Sequence, residues 1–382
     1  MHARSGIKGT IVSKDEFSFR PGSSRLPLTI ACAPARVELL GNHTDYNEGL
    51  VLGAAINLVI CVSGVKDDRS IRLASADFGE VEIHTADLRP LGEGCWANYL
   101  LGVANELRNL HVPIRGFTAN VRGDLPIGAG LSSSAALEVA TALFLLKLFP
   151  AKLPRLEIAK ACHRAEQRYV GVQSGLLDQV ISLFGRAGHA IFFDCRSEEI
   201  RCVPFPAELA LVIAESSKKR ELVQVEYNLR RRETHAAAHA LGVRALRDVN
   251  SAVVDRRRDL SPLLRRRASH VIGENKRVRR ALKLLETGDG VGFGKLMNES
   301  HDSSRQNFEN STPELDLLVS IAQDLPGVLG ARLTGAGFGG STVTLCERPR
   351  AQQTAAELSR RYADATAITP RVFVFRIADG AK

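Results

Sequence analysis

Hydrophobic and polar residues alternate in short runs along the first third of the chain. Such runs, rich in β-branched residues and bounded by polar turns, predict strands. These strands are Leu28–Cys32, Ile56–Val65, Ile71–Ala74, Val81–Thr85 and Thr118–Val121. Apolar residues at helical spacing predict helices at Trp96–Leu107, Ser133–Leu148 and Leu156–Val170.

The rest of the chain has a different order of elements. Strands are predicted at Ala190–Asp194, Leu209–Ala214, Gly330–Leu333, Ser341–Leu345 and Val372–Ile377. Between the second and third of these lie predicted helices at Asn228–Leu241, His270–Leu285, Val291–His301 and Thr312–Asp324. Because strands come in runs rather than in strict βαβ alternation, the pattern predicts an α+β protein. A length of 382 residues favours two domains, 1–205 and 206–382.

The composition, with 45% hydrophobic and 24% charged residues, is that of a globular protein. No run approaches the roughly 20 apolar residues that span a bilayer, and Met1–Lys14 lacks the apolar core of a secretory signal. The seven cysteines are scattered, without C-x-x-C spacing. This pattern argues against a disulfide framework or a zinc site, and we expect a soluble protein of the reducing cytoplasm.

The formal charge of +9 arises partly from arginine clusters. They lie at Arg230–Arg232, Arg256–Arg258, Arg265–Arg267 and Arg279–Arg280. One hypothesis is nucleic-acid binding; the other is a set of solvated helix faces whose positive field attracts an anionic substrate such as a nucleotide. The clusters lie in Ala/Leu-rich helical stretches without aromatic residues, which favours the second hypothesis. We therefore expect neither a nucleic-acid nor a membrane partner.

A Gly/Ser-rich segment, Leu125–Ala136, leads directly into a predicted helix. Glycines allow close backbone approach, and the free N–H groups of a helix start favour an anion. The segment is not a Walker A loop, because no Lys-Ser/Thr follows the glycines. It is not a dinucleotide motif either, because Ser133 stands where the third glycine would be. By itself it fits a capped turn equally well.

The segment resembles the ATP loop of the GHMP small-molecule kinases, and three further motifs resemble the galactokinase family. These are Ala33–Gly49 (APARVELLGNHTDYNEG), Gly175–Gln179 (GLLDQ) and Leu333–Gly340 (LTGAGFGG). The resemblance implies an N-terminal ribosomal-protein-S5-like α/β domain and a C-terminal ferredoxin-like α+β domain, with the active site between them. It also implies transfer of the γ-phosphate of ATP, with Mg2+, to O1 of α-D-galactose. We expect a monomer or weak homo-oligomer in galactose metabolism.

Proteins catalyse phosphoryl transfer mainly by positioning the reacting groups and neutralising their charge. The resemblance assigns Asp178 as the group that deprotonates or orients the acceptor hydroxyl, and Arg36 as its partner that stabilises developing charge. The alternative for this pair is an ordinary ion pair. The resemblance also nominates Ser134 and Glu166 as magnesium ligands.

The resemblance assigns ATP binding to Gly128, Ala129, Gly130, Leu131, Ser132, Ser133, Ser134 and Trp96. A lone tryptophan is also a common core anchor. The segment Gly335–Gly340 would abut the active site, the alternative being a structural hairpin.

Sugar binding is assigned by resemblance to Asn42, His43, Thr44, Asp45, Gly175 and Tyr227. The chain departs from the family pattern because Asn42 replaces a Glu, Glu38 an Asn and Ala35 a Gly. One hypothesis is drift that still permits galactose. The other is altered specificity at C6 or C2, for galacturonate, arabinose or N-acetylgalactosamine. The presence of His43, Asp45 and Tyr227 favours galactose.

A third possibility is a sensor that binds sugar and ATP without turnover. The serine run Ser132–Ser134 is complete, and Arg36, Glu166 and Asp178 are all present. These residues favour an enzyme over a sensor.

Overall fold

The computed structural model describes residues 27–123, 130–217 and 223–382, and they form two sheets covered by helices. The larger sheet contains β1 (Thr29–Leu40), β2 (Leu50–Asp67), β3 (Ser70–Ser75), β4 (Gly79–His84), β5 (Gly116–Gly123), β6 (His189–Asp194) and β7 (Ile200–Pro204). The smaller sheet contains β8 (Leu209–Glu215), β9 (Val328–Thr334), β10 (Ser341–Glu347) and β11 (Val372–Phe375).

Four helices belong to the first half of the chain: α1 (Ala97–Asn109), α2 (Ser133–Leu148), α3 (Arg155–Ala165) and α4 (Leu177–Phe184). Six follow: α5 (Val223–Ala240), α6 (Ser251–Arg256), α7 (Pro262–Glu286), α8 (Gly290–Ser303), α9 (Pro313–Gln323) and α10 (Ala351–Thr366). The α+β order predicted from the pattern is therefore present. The sequence prediction omitted β7, α4, α6 and α10.

The larger sheet has the order β4-β3-β5-β2-β6-β7, with β1 paired to β2. All its pairs are antiparallel except β3 with β5. Strand β2 reads as an almost continuous apolar run because it is buried along most of its length. Helices α1 to α4 bury their apolar residues against this sheet in one large core.

The smaller sheet is fully antiparallel, in the order β11-β8-β10-β9. A second core joins the two sheets, because Leu39 and Leu52 share it with Leu211 and Val343. The larger sheet ends at Pro204 and the smaller one begins at Leu209. The division at 205/206 lies between them and stays a prediction.

Two expectations from composition need correction. Cys32 and Cys61 stand opposite each other on β1 and β2 and form a disulfide, whereas the scattered spacing of the cysteines had argued against a disulfide framework. The arginine clusters are not all solvated helix faces either. Arg267 is 1% exposed and pairs with Glu233, because α5 and α7 pack together through charged side chains. No helix in the described part of the chain is long and apolar enough to cross a bilayer.

Candidate active site

A cavity of about 340 Å³ opens where β1, the starts of α2 and α4, and the turn after β9 come together. Most of its lining residues belong to the motifs singled out from the sequence. Of the predicted residues, those that line it are Arg36, Asn42, His43, Asp45, Gly130, Ser132, Ser133, Ser134, Glu166, Gly175, Asp178 and Tyr227. Residues far apart in sequence thus share one site.

An ion pair joins β1 to the first turn of α4. Arg36 donates through Nε to Oδ1 of Asp178 at 2.7 Å and through Nη2 to Oδ2 at 2.8 Å. Its Nη1 donates to the carbonyl of Gly130 at 2.9 Å. A two-point contact of this kind fixes the plane and direction of the carboxylate. The guanidinium therefore ties the carboxylate and the glycine-rich loop into one unit.

Ser132 precedes α2 with a left-handed backbone, at φ 56°. A serine there usually caps the helix with its side chain, but this one makes no capping hydrogen bond. Its hydroxyl instead donates to Oδ2 of Asp178. The sequence had placed Ser132 only at the phosphate loop, so this contact is a finding of the structure.

Glu166 begins a π-helical turn, Glu166–Val170, that continues α3. Its carboxylate accepts hydrogen bonds from the hydroxyls of Ser134 and Ser174. Burial raises the pKa of this carboxyl group. π-Helical turns are frequent at functional sites, and this one directs a carboxylate towards the start of α2.

Ser134 and Glu166 offer the hard oxygen atoms that magnesium prefers. Within the described ranges, no group of three or more His, Cys, Asp or Glu residues could hold a metal ion. Phosphate oxygens of a nucleotide would have to complete the coordination. This fits the way magnesium is usually bound in nucleotide sites.

Asp45 and Gly175 are in close contact, and both line the cavity. A Cβ atom added to Gly175 would lie 2.2 Å from Oδ2 of Asp45, so only glycine allows this approach. Burial, with a further contribution from the charge of Asp178, raises the pKa of Asp45 to about 7. The aspartate is therefore able to carry a proton near neutral pH.

The imidazole of His43 is buried between Tyr227 and Phe308, with ring centroids at 5.0 and 4.6 Å. Its Nε2 lies 2.9 Å from the carbonyl oxygen of Ala336, which can only accept, so Nε2 carries the hydrogen. Nδ1 then accepts from the hydroxyl of Tyr46 at 2.7 Å. Burial lowers the pKa of His43 to about 3, which keeps the ring neutral.

The turn that begins at Gly335 joins β9 to β10 and contacts the larger sheet's motifs. The carbonyl oxygen of Gly335 accepts from Nδ2 of Asn42 at 2.8 Å. Gly335 has φ 73°, and a Cβ atom on it would lie 2.9 Å from the carbonyl of Gly130. This turn therefore lines the cavity and also connects the two strands.

Three predicted residues do not line the cavity. Thr44 is buried and its hydroxyl contacts the carbonyls of Gly41 and Leu50, so it holds the turn together. Leu131 belongs to the core that joins the two sheets. Trp96 packs at the edge of the larger core and stacks on Phe78. Gly128 and Ala129 lie outside the described residues.

The cavity also contains residues that sequence reasoning did not assign to it. These are Glu38, Tyr99, Val172, Ser174 and Leu177. Glu38 had been noted only as a departure from the family pattern. Leu177 lies within the motif Gly175–Gln179, directly before Asp178, so this position in the sequence could have assigned it to the cavity. Nothing in the local pattern marks Val172 or Ser174.

Family models match three parts of the chain. They describe the GHMP kinases N terminal domain at residues 98–186, the GHMP kinases C terminal at 281–364, and the galactokinase galactose-binding signature at 16–66. Together they support the GHMP kinase fold.

Similar proteins extend the match to nearly the whole chain. A galactokinase of Roseiflexus sp. (strain RS-1) is 43% identical over 361 residues, covering 93% of this chain and 92% of that protein. The galactokinase of Homo sapiens is 41% identical, covering 96% and 94%. A crystal structure of Lactococcus lactis galactokinase complexed with galactose matches with a TM-score of 0.89 and 32% identity, covering 93% and 95%.

Proposed function

Because the chain belongs to the galactokinase family, we propose that it transfers the γ-phosphoryl group of ATP to the O1 hydroxyl of α-D-galactose. The activity class is that of a sugar kinase, a phosphotransferase. The observation that carries the proposal is the Arg36–Asp178 pair, which lies in the same cavity as Asp45 and Tyr227. Sugars altered at C6 or C2, and a sensor without turnover, are not favoured by the near full-length similarity to galactokinases.

The proposed role of Asp178 follows from its hydrogen bonds. The Oδ2 atom accepts from Arg36 and Ser132, whereas Oδ1 accepts from Arg36. A carboxylate oxygen can accept about two hydrogen bonds, so Oδ1 has room for the sugar O1 hydroxyl. Asp178 would orient this oxygen or take its proton, and Arg36 would stabilise charge on the transferring group.

The nucleotide phosphates would be bound by the segment from Gly128 to Ser134 at the start of α2. Ser134 and Glu166 would hold magnesium through their oxygen atoms. When bound with ATP, magnesium would offset the charge of the phosphate oxygens. Asp178 and Arg36 would align the acceptor hydroxyl with the transferring group. Trp96 as part of an adenine pocket stays a proposal.

The assay that tests this function measures ADP release with a panel of sugars. We expect turnover with galactose at a kcat/KM well above the values for galacturonate, arabinose and N-acetylgalactosamine. A higher kcat/KM with any of the other three would overturn galactose as the substrate. Absence of ADP release with all four would favour the sensor.

The remaining proposals concern the setting of the enzyme. We place it in the cytoplasm, as a monomer or weak homo-oligomer that acts on a small sugar and Mg-ATP. Nucleic-acid binding is not part of this proposal. Arg230 supports this view because it is 8% exposed and donates to the carbonyl of Phe308, an internal contact.

A further inference from the structure

Two departures from the family pattern are in direct contact. Glu38 lies on β1 and Asn42 lies in the turn that follows, and Nδ2 of Asn42 donates to Oε1 of Glu38 at 2.9 Å. Both side chains are buried, with 4% and 1% exposure, and both residues line the cavity. The family pattern has Asn at the first position and Glu at the second. The chain has therefore exchanged a carboxylate and an amide between two touching positions.

The side-chain amide of Asn42 makes all of its hydrogen bonds to other groups of the protein. Its Nδ2 donates to Glu38 and to the carbonyl of Gly335. Its Oδ1 accepts from Nδ2 of Asn310 at 2.9 Å, with Oγ of Ser304 at 3.4 Å. An amide has two donors and about two acceptor positions. Asn42 consequently has nothing left to offer a ligand unless it breaks one of these bonds.

In the carboxylate of Glu38, protein partners contact only one of the two oxygen atoms. Oε1 accepts from Asn42 and pairs with Nη1 of Arg332 at 3.0 Å. Arg332 is completely buried, and it opposes the rise that burial causes in the pKa of Glu38. Burial outweighs these contacts, so the pKa of Glu38 stays above its ordinary value, although Arg332 and the amide of Asn42 both donate to the carboxylate and limit the rise. Because both contacts are made to Oε1, Oε2 is the oxygen left for a ligand in the cavity.

We propose that Glu38 is the specificity-determining carboxylate of the sugar pocket, and that Asn42 is a positioning residue that holds it. Oε2 of Glu38 accepts a hydrogen bond from a sugar hydroxyl, which is a donor. A uronate sugar brings a second carboxylate, which lacks a hydrogen to donate and is repelled. The exchange of the two side chains therefore keeps the pocket selective for neutral sugars. This inference rests on the proposed sugar-kinase function.

The central test is Glu38→Gln, which keeps the shape and an acceptor for Asn42 but removes the charge. We expect kcat/KM for galactose to fall about tenfold or more, mainly through a higher KM, because a hydrogen bond to a charged group is lost. We also expect the ratio of kcat/KM for galactose to that for galacturonate to fall. An unchanged KM for galactose, or an unchanged ratio, would overturn the inference.

A matched control is Glu106→Gln. Glu106 is also a buried carboxylate, paired with Arg164 and Arg168, but it lies on α1 and does not line the cavity. We expect this variant to lower the unfolding temperature without changing the galactose to galacturonate ratio. A change in the ratio as large as that of Glu38→Gln would contradict a specific role for Glu38.

The exchange itself is tested by a double-variant cycle. Asn42→Glu alone brings two carboxylates into contact, and Glu38→Asn alone leaves the pair without a carboxylate. The double variant restores one of each, so its KM for galactose should lie closer to the wild-type value than that of either single variant. Additive losses would contradict the exchange. If wild-type protein does not phosphorylate galactose at all, the proposed function fails before this inference is reached.

Discussion

Asp178 accepts hydrogen bonds on both carboxylate oxygens, but the two oxygens are not equivalent. Arg36 and Ser132 both donate to Oδ2, whereas Arg36 Nε donates to Oδ1. The guanidinium fixes the carboxylate plane, so the free acceptor position of Oδ1 has a defined direction. At the scale of single residues, Asp178 therefore keeps an acceptor position whose direction is fixed by its protein partners.

Gly175→Ala tests the close approach between Gly175 and Asp45. The added methyl group would lie 2.2 Å from Oδ2 of Asp45, so the aspartate must move. We expect kcat/KM for galactose to fall about tenfold or more, because misplacement of a binding group is costly. The control is Gly92→Ala, where a Cβ atom meets nothing within 4 Å. Equal kinetics for the two variants would contradict the role of this contact.

The raised pKa of Asp45 predicts a pH-dependent stability. The folded chain keeps a proton up to about pH 7, whereas an unfolded aspartate releases it near its ordinary value of 3.8. Between these values the folded state binds more protons, so Asp45 makes the free energy of unfolding fall as pH rises. This contribution to stability is fully present below the unfolded pKa and is lost as pH rises through the folded one.

Chemical denaturation of wild type and Asp45→Asn at several pH values measures this effect. The variant has no titrating group at this position. We expect its stability relative to wild type to increase from about pH 4 to about pH 7. A difference between the two proteins that does not change with pH would contradict the raised pKa.

Sequence motifs predicted which residue types meet in the cavity, but not how they meet. Arg36 and Asp178 were paired through the family resemblance, and the structure brings them into contact. The contacts between Ser132 and Asp178, and between Glu38 and Asn42, depend on tertiary placement of side chains. No periodicity or local propensity encodes such contacts, so they could be found only in the folded structure.

Strands and helices were predicted well where burial produces a regular hydrophobic period. They were predicted poorly where the motif residues of the site break that period or where the element is short. Strand β1 was expected to end at Cys32, but it continues through Leu40 because the motif residues themselves are buried. Helix α4 has eight residues and is buried over most of its surface, so it gives too short a helical pattern. Both elements carry residues that we propose to be catalytic, Arg36 on β1 and Asp178 on α4.

The proposed magnesium ligands lie at the start of α2 and in the π-helical turn at Glu166, so a change there should alter the magnesium dependence of the activity. Ser134→Ala removes one proposed ligand oxygen and its hydrogen bond to Glu166. We expect the magnesium concentration for half-maximal activity to rise about tenfold. Titration of activity with magnesium at saturating galactose measures it. Ser251→Ala, at the start of α6, is the control, and the same magnesium dependence in both variants would exclude Ser134 as a ligand.

At the scale of the whole molecule, the cavity depends on contact between the two sheets. One core contains Leu39 and Leu52 from the larger sheet with Leu211 and Val343 from the smaller one. The turn after Thr334 reaches the motif on β1, because the hydroxyl of Thr334 bonds to the backbone of Glu38. The site is therefore formed only when both sheets are folded and packed together.

A shared core predicts cooperative unfolding. We expect calorimetry to show one transition whose calorimetric and van't Hoff enthalpies agree, although the length allows two domains. Galactose should shift the whole transition to higher temperature, because it binds the folded state. Two separate transitions, of which galactose shifts only one, would contradict a single unit that contains the site.

The most direct test of the account is identification of the product made by wild type and by Asp178→Asn. Phosphorus NMR of a reaction with galactose, ATP and magnesium should show an anomeric sugar phosphate formed in equal amount to ADP. The variant should lose at least about a hundredfold in turnover, while galactose binding stays measurable by calorimetry. Phosphate on another hydroxyl group, or near-normal turnover in Asp178→Asn, would contradict the account.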